Sequence, residues 1–157
     1  MQKIPPFLWF DNNAEEAVNH YISIFKNSKI GSVVLYGDVG PRPRGTVMTI
    51  AFQLEGQDFI ALKGGAIFKF NEGISLSVDC KSQQEVDDLW ERLADGGQQG
   101  QCGWLKDKFG LSWQIVPSVL VEMLQNKNAE KSKRVMEAIL QMTKIDIARL
   151  QRAFEKA

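Results

Sequence analysis

Histidine and cysteine are scarce. The chain has one histidine, His20, and two cysteines, Cys80 and Cys102, among 157 residues. Two cysteines make no disulfide framework, so reduced thiols in a cytoplasmic protein are the expectation. An excess of either charge is missing as well, because nineteen Lys and Arg balance nineteen Asp and Glu. Nucleic-acid binding calls for a basic surplus, and none exists over the whole chain. No apolar run approaches the ~20 residues that cross a bilayer. The opening MQKIPPFLWF lacks the apolar centre of a secretory signal, and Pro5-Pro6 interrupts it. Neither a nucleic-acid nor a membrane partner is therefore expected. Hydrophobic residues are plentiful at 44%, against 24% charged, enough for a real core in one compact domain spanning 1–157.

Periodicity divides the chain into two similar parts and a tail. In the first, IPPFLWF (Ile4 to Phe10) reads as a buried strand starting at or after the prolines. Asn13 with Glu16 resembles a capping box, and Ala14, Ala17, Val18, Tyr21 and Phe25 follow helical spacing. Strands are expected over 28–36, 46–55 and 58–63, with the loop GDVGPRPRG before the second and a turn at Gly56. In the second part, 73–80 reads as a strand. Ser82 with Glu85 caps a helix striped by Val86, Leu89, Trp90 and Leu93, and Gly96-Gly97 ends it. Strands around 99–107 and 111–116 follow, joined by a turn at Gly110. The order β-α-β-β-β thus occurs twice. The helices superpose at one offset (Asn13 on Ser82, Tyr21 on Trp90), which points to an internal repeat. The fold class expected is α+β. It comprises two tandem βαβββ modules, about 4–63 and 73–116, forming curved, cup-like sheets, and a helical extension over 118–157. That tail carries apolar stripes of Val135, Met136, Ile139 and Leu140, then Ile147, Leu150 and Phe154.

Four segments, PFLWFDNNAEEAVNHY, FKFNEGISLSV, CGWLKDKFGLSWQIVP and VMEAILQMTKIDIARL, resemble one family. It is the branch of the vicinal oxygen chelate superfamily known as the 3-demethylubiquinone-9 3-methyltransferase domain, related to PhnB. The superfamily includes glyoxalase I, bleomycin-resistance proteins and extradiol dioxygenases. The resemblance implies paired sheets around a cup. It also implies a divalent metal held by side chains on the first and last strands of each module, where open positions chelate two oxygens of a substrate.

Aligned on that pattern, the metal-binding carboxylate of the last strand falls on Gln114, counted from the turn at Gly110. The same count from Gly56 gives Ile60. The first-strand position falls near Pro6 or Phe7, and the fifth-strand position near Gly73 with Glu72 beside it. A neutral amide and an apolar side chain are poor ligands. His20 sits about 200° around its helix from Val18 and faces away. Glu72 and Gln114 are the weak metal candidates that remain, and no metal or other cofactor is expected. Nor do the glycines support the family's methyl-transfer label. Gly37, Gly40 and Gly45 fall in a Pro-rich loop between strands instead of opening a helix.

Alternation puts Ser112, Gln114 and Val116 on one face of the last strand and Trp113 with Ile115 on the other. Leu105 should share the packed side, leaving Cys102, Trp104 and Lys106 facing the cup. Trp9 is a further wall, and Phe68 and Phe70 lie near the rim. In the functional reading Gln114 hydrogen-bonds a guest, Trp104 and Trp9 stack on it, and Lys106 or Lys63 attracts an anion. In the structural reading these aromatics fill an ordinary core. For Trp90 and Trp113 the core is expected. Cys102 lacks the nearby histidine that a nucleophilic thiol needs and reads as structural. Arg42 and Arg44 on the Gly/Pro loop either grip an anion or are simply solvated.

Three functions follow. The first is a metal-independent protein binding a small aromatic or amphipathic ligand, in the manner the bleomycin-resistance resemblance implies. The second is a superfamily enzyme: a metal-dependent lyase, isomerase or dioxygenase, or the methyltransferase of the family name. The third is a structural dimer with a collapsed cup. A homodimer is expected, because the tail offers apolar surface for an interface across a two-fold axis.

Overall fold

The structure, a computed structural model, describes residues 1–156. It is a mixed α+β fold with two four-stranded sheets and, among the described residues, five helices. The chain forms two compact units, Met1–Phe70 and the residues from Asn71 onward.

In the first unit, β1 (Phe7–Phe10), α1 (Ala14–Ile24), β2 (Lys29–Leu35), β3 (Val47–Leu54) and β4 (Gln57–Lys63) build a sheet of order β1-β4-β3-β2. The first strand pairs with β4 in parallel, and the other pairs are antiparallel. Period-two alternation gives the sheet two faces. Leu8, Phe10, Ile50, Phe52, Phe59 and Ala61 are buried on the face that meets α1, against Ala14, Ala17, Val18 and Tyr21. Asn13 stands at the N-cap of α1 as expected, yet its side chain makes no cap hydrogen bond. Its φ of −111° and ψ of 26° leave the extended region that lets a cap side chain reach the helix amides. All seven residues of the edge strand β2 are exposed, and a bulge sets Gly31 and Ser32 opposite Ala51.

The second unit repeats the order with β5 (Ser75–Cys80), α2 (Gln83–Ala94), β6 (Gln98–Gln99), β7 (Trp104–Lys106) and β8 (Ser112–Pro117), as a sheet of order β5-β8-β7-β6. Again the first and last strands pair in parallel. Val86, Leu89, Trp90 and Leu93 of α2 are buried, as are Leu105, Trp113 and Ile115 of the sheet. Ser82 accepts from the Glu85 amide, and the Glu85 carboxylate accepts from the Lys81 amide. That is the reciprocal bonding a capping box provides, with the carboxylate reaching one residue beyond the cap.

The single strand expected around 99–107 is two strands here. Cys102 and Gly103 adopt φ of 59° and 82° and turn the chain between β6 and β7. Only glycine fits at the second site. Its φ is left-handed, and an added Cβ would stand 3.0 Å from Ile145.

Helices α3 (Ser118–Leu124), α4 (Ala129–Ile139) and α5 (Ile147–Glu155) form the tail, with Asn128 and Asp146 capping the last two. Val135, Ile139, Met142, Ile145 and Leu150 are buried with Leu120 and Met123. Met136 and Leu140, expected in that stripe, are exposed, because the buried row follows 135, 139 and 142 and leaves their flank outside. The tail grips the β6–β7 turn, since the amides of Cys102 and Gly103 donate to the carbonyls of Met142 and Thr143 at 2.9 and 2.8 Å. Gln83 adds a two-point hold, donating to the Ile145 carbonyl and accepting from the Ile147 amide.

Candidate functional site

Each sheet has one face on its helix and one face turned the other way. In the second unit that other face carries Ser75, Ser77 and Asp79 from β5, Ser112, Gln114 and Val116 from β8, and Trp104 and Lys106 from β7. The register fixes the neighbours: Gln114 lies between Ser77 and Trp104, and Ser112 between Ser75 and Lys106. Gln114 is half-buried, and its Nε2 donates to Ser75 Oγ at 2.9 Å. Ser112 is 1% exposed, and its Oγ has no hydrogen-bond partner among the described residues. A buried hydroxyl without a partner costs about 1–3 kcal/mol.

The register moves one expected position. Ser77, not Gly73, stands opposite Gln114, because β5 begins only at Ser75 and pairs Ser77 with it. Nothing in the sequence marks this, since an alternating serine strand can slip by two residues without changing face. In the first unit Phe7 stands opposite Ile60, as Ser77 stands opposite Gln114. These are the first- and last-strand pairs that a superfamily metal would use. Phenylalanine and isoleucine offer no ligand atom, and a hydroxyl with an amide is a poor donor set for a divalent metal, so the residues do not fit one. Among the described residues there is also no group of three or more His, Cys, Asp or Glu able to hold a metal ion.

The expected site residues divide by face and by partner. Trp104, Lys106 and Gln114 share one face of the second sheet. Lys106 forms an ion pair with Glu72, and the Lys106 hydrogen bond holds the Glu72 carboxyl below its usual range. Cys102 lies on the left-handed turn, against the helical tail. Trp9 is on the open face of the first sheet beside Leu62. Its Nε1 donates to the Gly65 carbonyl at 2.8 Å, and its ring meets Phe68 edge-on at 4.9 Å. Phe70 packs on the other face, edge-on to Phe10 at 5.2 Å. Lys63 shares that helix-side face and pairs with Glu15 of α1 at 3.1 Å. His20 lies on α1, beside Tyr21. Burial pushes the Cys80 thiol up to about 12, so it stays protonated and unreactive at neutral pH.

Beneath the second sheet, Asp107 is buried at 3% exposure. Its Oδ1 accepts from the amides of Phe109 and Leu111, and its Oδ2 accepts from Trp113 Nε1 at 2.8 Å. One carboxylate thus shapes the Gly110 turn and fixes the core tryptophan. Sequence reading placed Trp113 in the core but missed Asp107. A charged residue in KDKFG looks like a solvated turn unless its three donors are seen together.

Residues 2–116 match the family model described as 3-demethylubiquinone-9 3-methyltransferase. The PhnB protein from Bacillus cereus is 37% identical and superposes with a TM-score of 0.68, covering 74% of this chain and 100% of its own. A protein from Pseudomonas aeruginosa, at 22% identity and a TM-score of 0.62, covers 74% of this chain and 98% of its own. The fosfomycin resistance protein FosX from Listeria monocytogenes, complexed with Mn(II) and sulfate, is similar in fold at 16% identity. Its TM-score is 0.55, with 80% of this chain and 100% of FosX covered. No curated protein matches the chain.

Proposed function

Because the chain belongs to the 3-demethylubiquinone-9 3-methyltransferase family, within the vicinal oxygen chelate fold of PhnB and FosX, we propose that it binds a small aromatic or amphipathic molecule on its sheet face without a catalytic metal. The observation that carries this reading is the half-buried Gln114 amide beside Trp104 on the open face of the second sheet. Gln114 commits Nε2 to Ser75 and keeps its Oε1 as an acceptor for a guest donor. Trp104 supplies an aromatic surface with a polar tip. A few convergent polar groups beside apolar surface are what small-molecule sites use for orientation. The absence of imidazole or carboxylate from the pairs Phe7 with Ile60 and Ser77 with Gln114 supports metal independence. Methyl transfer gains no support, since Gly37, Gly40 and Gly45 lie between β2 and β3 and open no helix.

The chain would work as a homodimer in the cytoplasm. Ile30, Val33, Val34 and Leu35 on the edge strand β2 offer apolar surface for assembly, and both free cysteines suit a reducing compartment. Among the described residues no helix is long and apolar enough to cross a membrane.

Native mass spectrometry of protein purified from its host tests the reading. A small-molecule adduct present in the native chain and lost in Gln114→Ile is the expected result. Stoichiometric zinc, iron or manganese that survives dialysis would overturn it.

A further inference from the structure

We propose a second ligand-reading site within the first module, where Arg42 recognises the carboxylate of an aromatic acid whose ring lies on Trp9 and Phe68. The site goes beyond the Gln114 reading and does not depend on it.

Four cations stand out from the sequence as anion-attracting candidates, and three are already neutralised. Lys63 pairs with Glu15, Lys106 with Glu72, and Arg44 with Asp38. Arg42 has no carboxylate in ion-pair range among the described residues, although it is only half exposed. Its loop is folded onto the end of β4. The Tyr36 amide donates to the Thr46 carbonyl and the Gly45 amide to the Tyr36 carbonyl, and Tyr36 Oη donates to the Lys63 carbonyl. This brings Arg42 Nη2 against Gly65, 2.9 Å from where a Cβ on that residue would stand. The same glycine accepts the indole N–H of Trp9 at 2.8 Å. A side chain at Gly65 would displace Arg42, and one on Gly64 would overlap the Trp9 indole.

Both groups therefore meet Gly65, the guanidinium on the side where a Cβ would stand and the indole N–H at its carbonyl. Phe68 continues the aromatic surface, edge-on to Trp9 and 61% exposed. A planar guanidinium fork takes a carboxylate through two parallel N–H···O bonds. Adjacent rings take the aromatic body and shield that ion pair from water, which makes the charge count for more than it does in open solvent. A neutral aromatic gains only the rings, and a lone inorganic anion gains only the fork.

Titration of the native full chain with 1-naphthoate and with 1-naphthamide, followed by the Trp9 indole N–H resonance (identified by its loss in Trp9→Phe), tests the proposal. Saturation by 1-naphthoate is expected, at a concentration at least about tenfold below that for 1-naphthamide. Arg42→Ala should erase the difference, and Gln114→Ile should leave it in place. Since Gln114→Ile is the variant that tests the other site, failure of one reading is distinguishable from failure of the other. The proposal is overturned if 1-naphthoate gives no saturating shift, or if 1-naphthamide matches it on the native chain. It is equally overturned if the acid keeps its advantage in Arg42→Ala, or loses it in Gln114→Ile.

Discussion

Opposite the first strand of its module, Ile60 faces Phe7 in one sheet and Gln114 faces Ser77 in the other. The strand order is the same in both, and each helix covers the same side. The open faces nevertheless differ in chemistry. The first carries Phe7, Trp9, Ile60 and Leu62, and the second carries Ser77, Ser112, Gln114 and Trp104. A repeated architecture fixes where side chains point and leaves their identity free, so duplicate sheets can offer an apolar wall and a polar one. The hairpins contrast in a similar way. Asp107 points under its sheet and gathers three donors, one of them the core tryptophan. Asp58, in the matching hairpin, instead ties down the N-terminal segment. It accepts from the Gln2 amide at 2.5 Å and from Gln53 Nε2 at 2.7 Å, while its own amide donates to Gln2 Oε1.

The strongest way to break the comparison is Asp107→Ala. Two amides and an indole N–H lose their acceptor in a buried place, so a loss of about 3 kcal/mol or more is expected in urea unfolding. A loss near zero would mean that the carboxylate does not hold the second hairpin.

Asp58 sharpens the contrast through pH. The Gln2 backbone hydrogen bond, then Gln53, holds its carboxyl below the ordinary value of 3.8. A carboxyl lowered in the folded state adds stability that is full above its unfolded value and is lost as pH falls through the folded one. The melting temperature of the native chain should therefore drop more steeply below about pH 4 than that of Asp58→Asn, with the two curves parallel at neutral pH. Parallel curves throughout would remove Asp58 from the account.

The smallest effect is expected from Gln114→Ile, which writes the first module's residue into the second. It removes one hydrogen bond to Ser75 at a half-buried place, so stability should change by no more than about 1 kcal/mol in either direction. A much larger loss would make Gln114 a structural residue and weaken its role toward a ligand.

Much of the fold was legible in the residues. The order of strands and helices in both modules, the Ser82 cap and the turns at Gly56 and Gly110 agree with the structure, because each rests on local rules that act within a few residues. Alternation also put Trp104, Lys106 and Gln114 on one face, as the β7–β8 register has them. Less legible was anything that depends on a partner distant in sequence. Lys63 and Lys106 read as free cations until Glu15 and Glu72 are seen beside them. Arg42 and Arg44 look alike in PRPRG, and only the fold gives Arg44 to Asp38 while laying Arg42 against Gly65.

The sequence by itself determined the repeated βαβββ order, the packed face of the last strand and the poverty of metal-binding side chains, because composition and period carry those directly. Only the tertiary structure decided which serine faces Gln114, which hydroxyl is buried without a partner, and which cation is left over. Register, ion pairing and burial are relations between distant segments, and no local pattern encodes the distance at which two side chains finally meet.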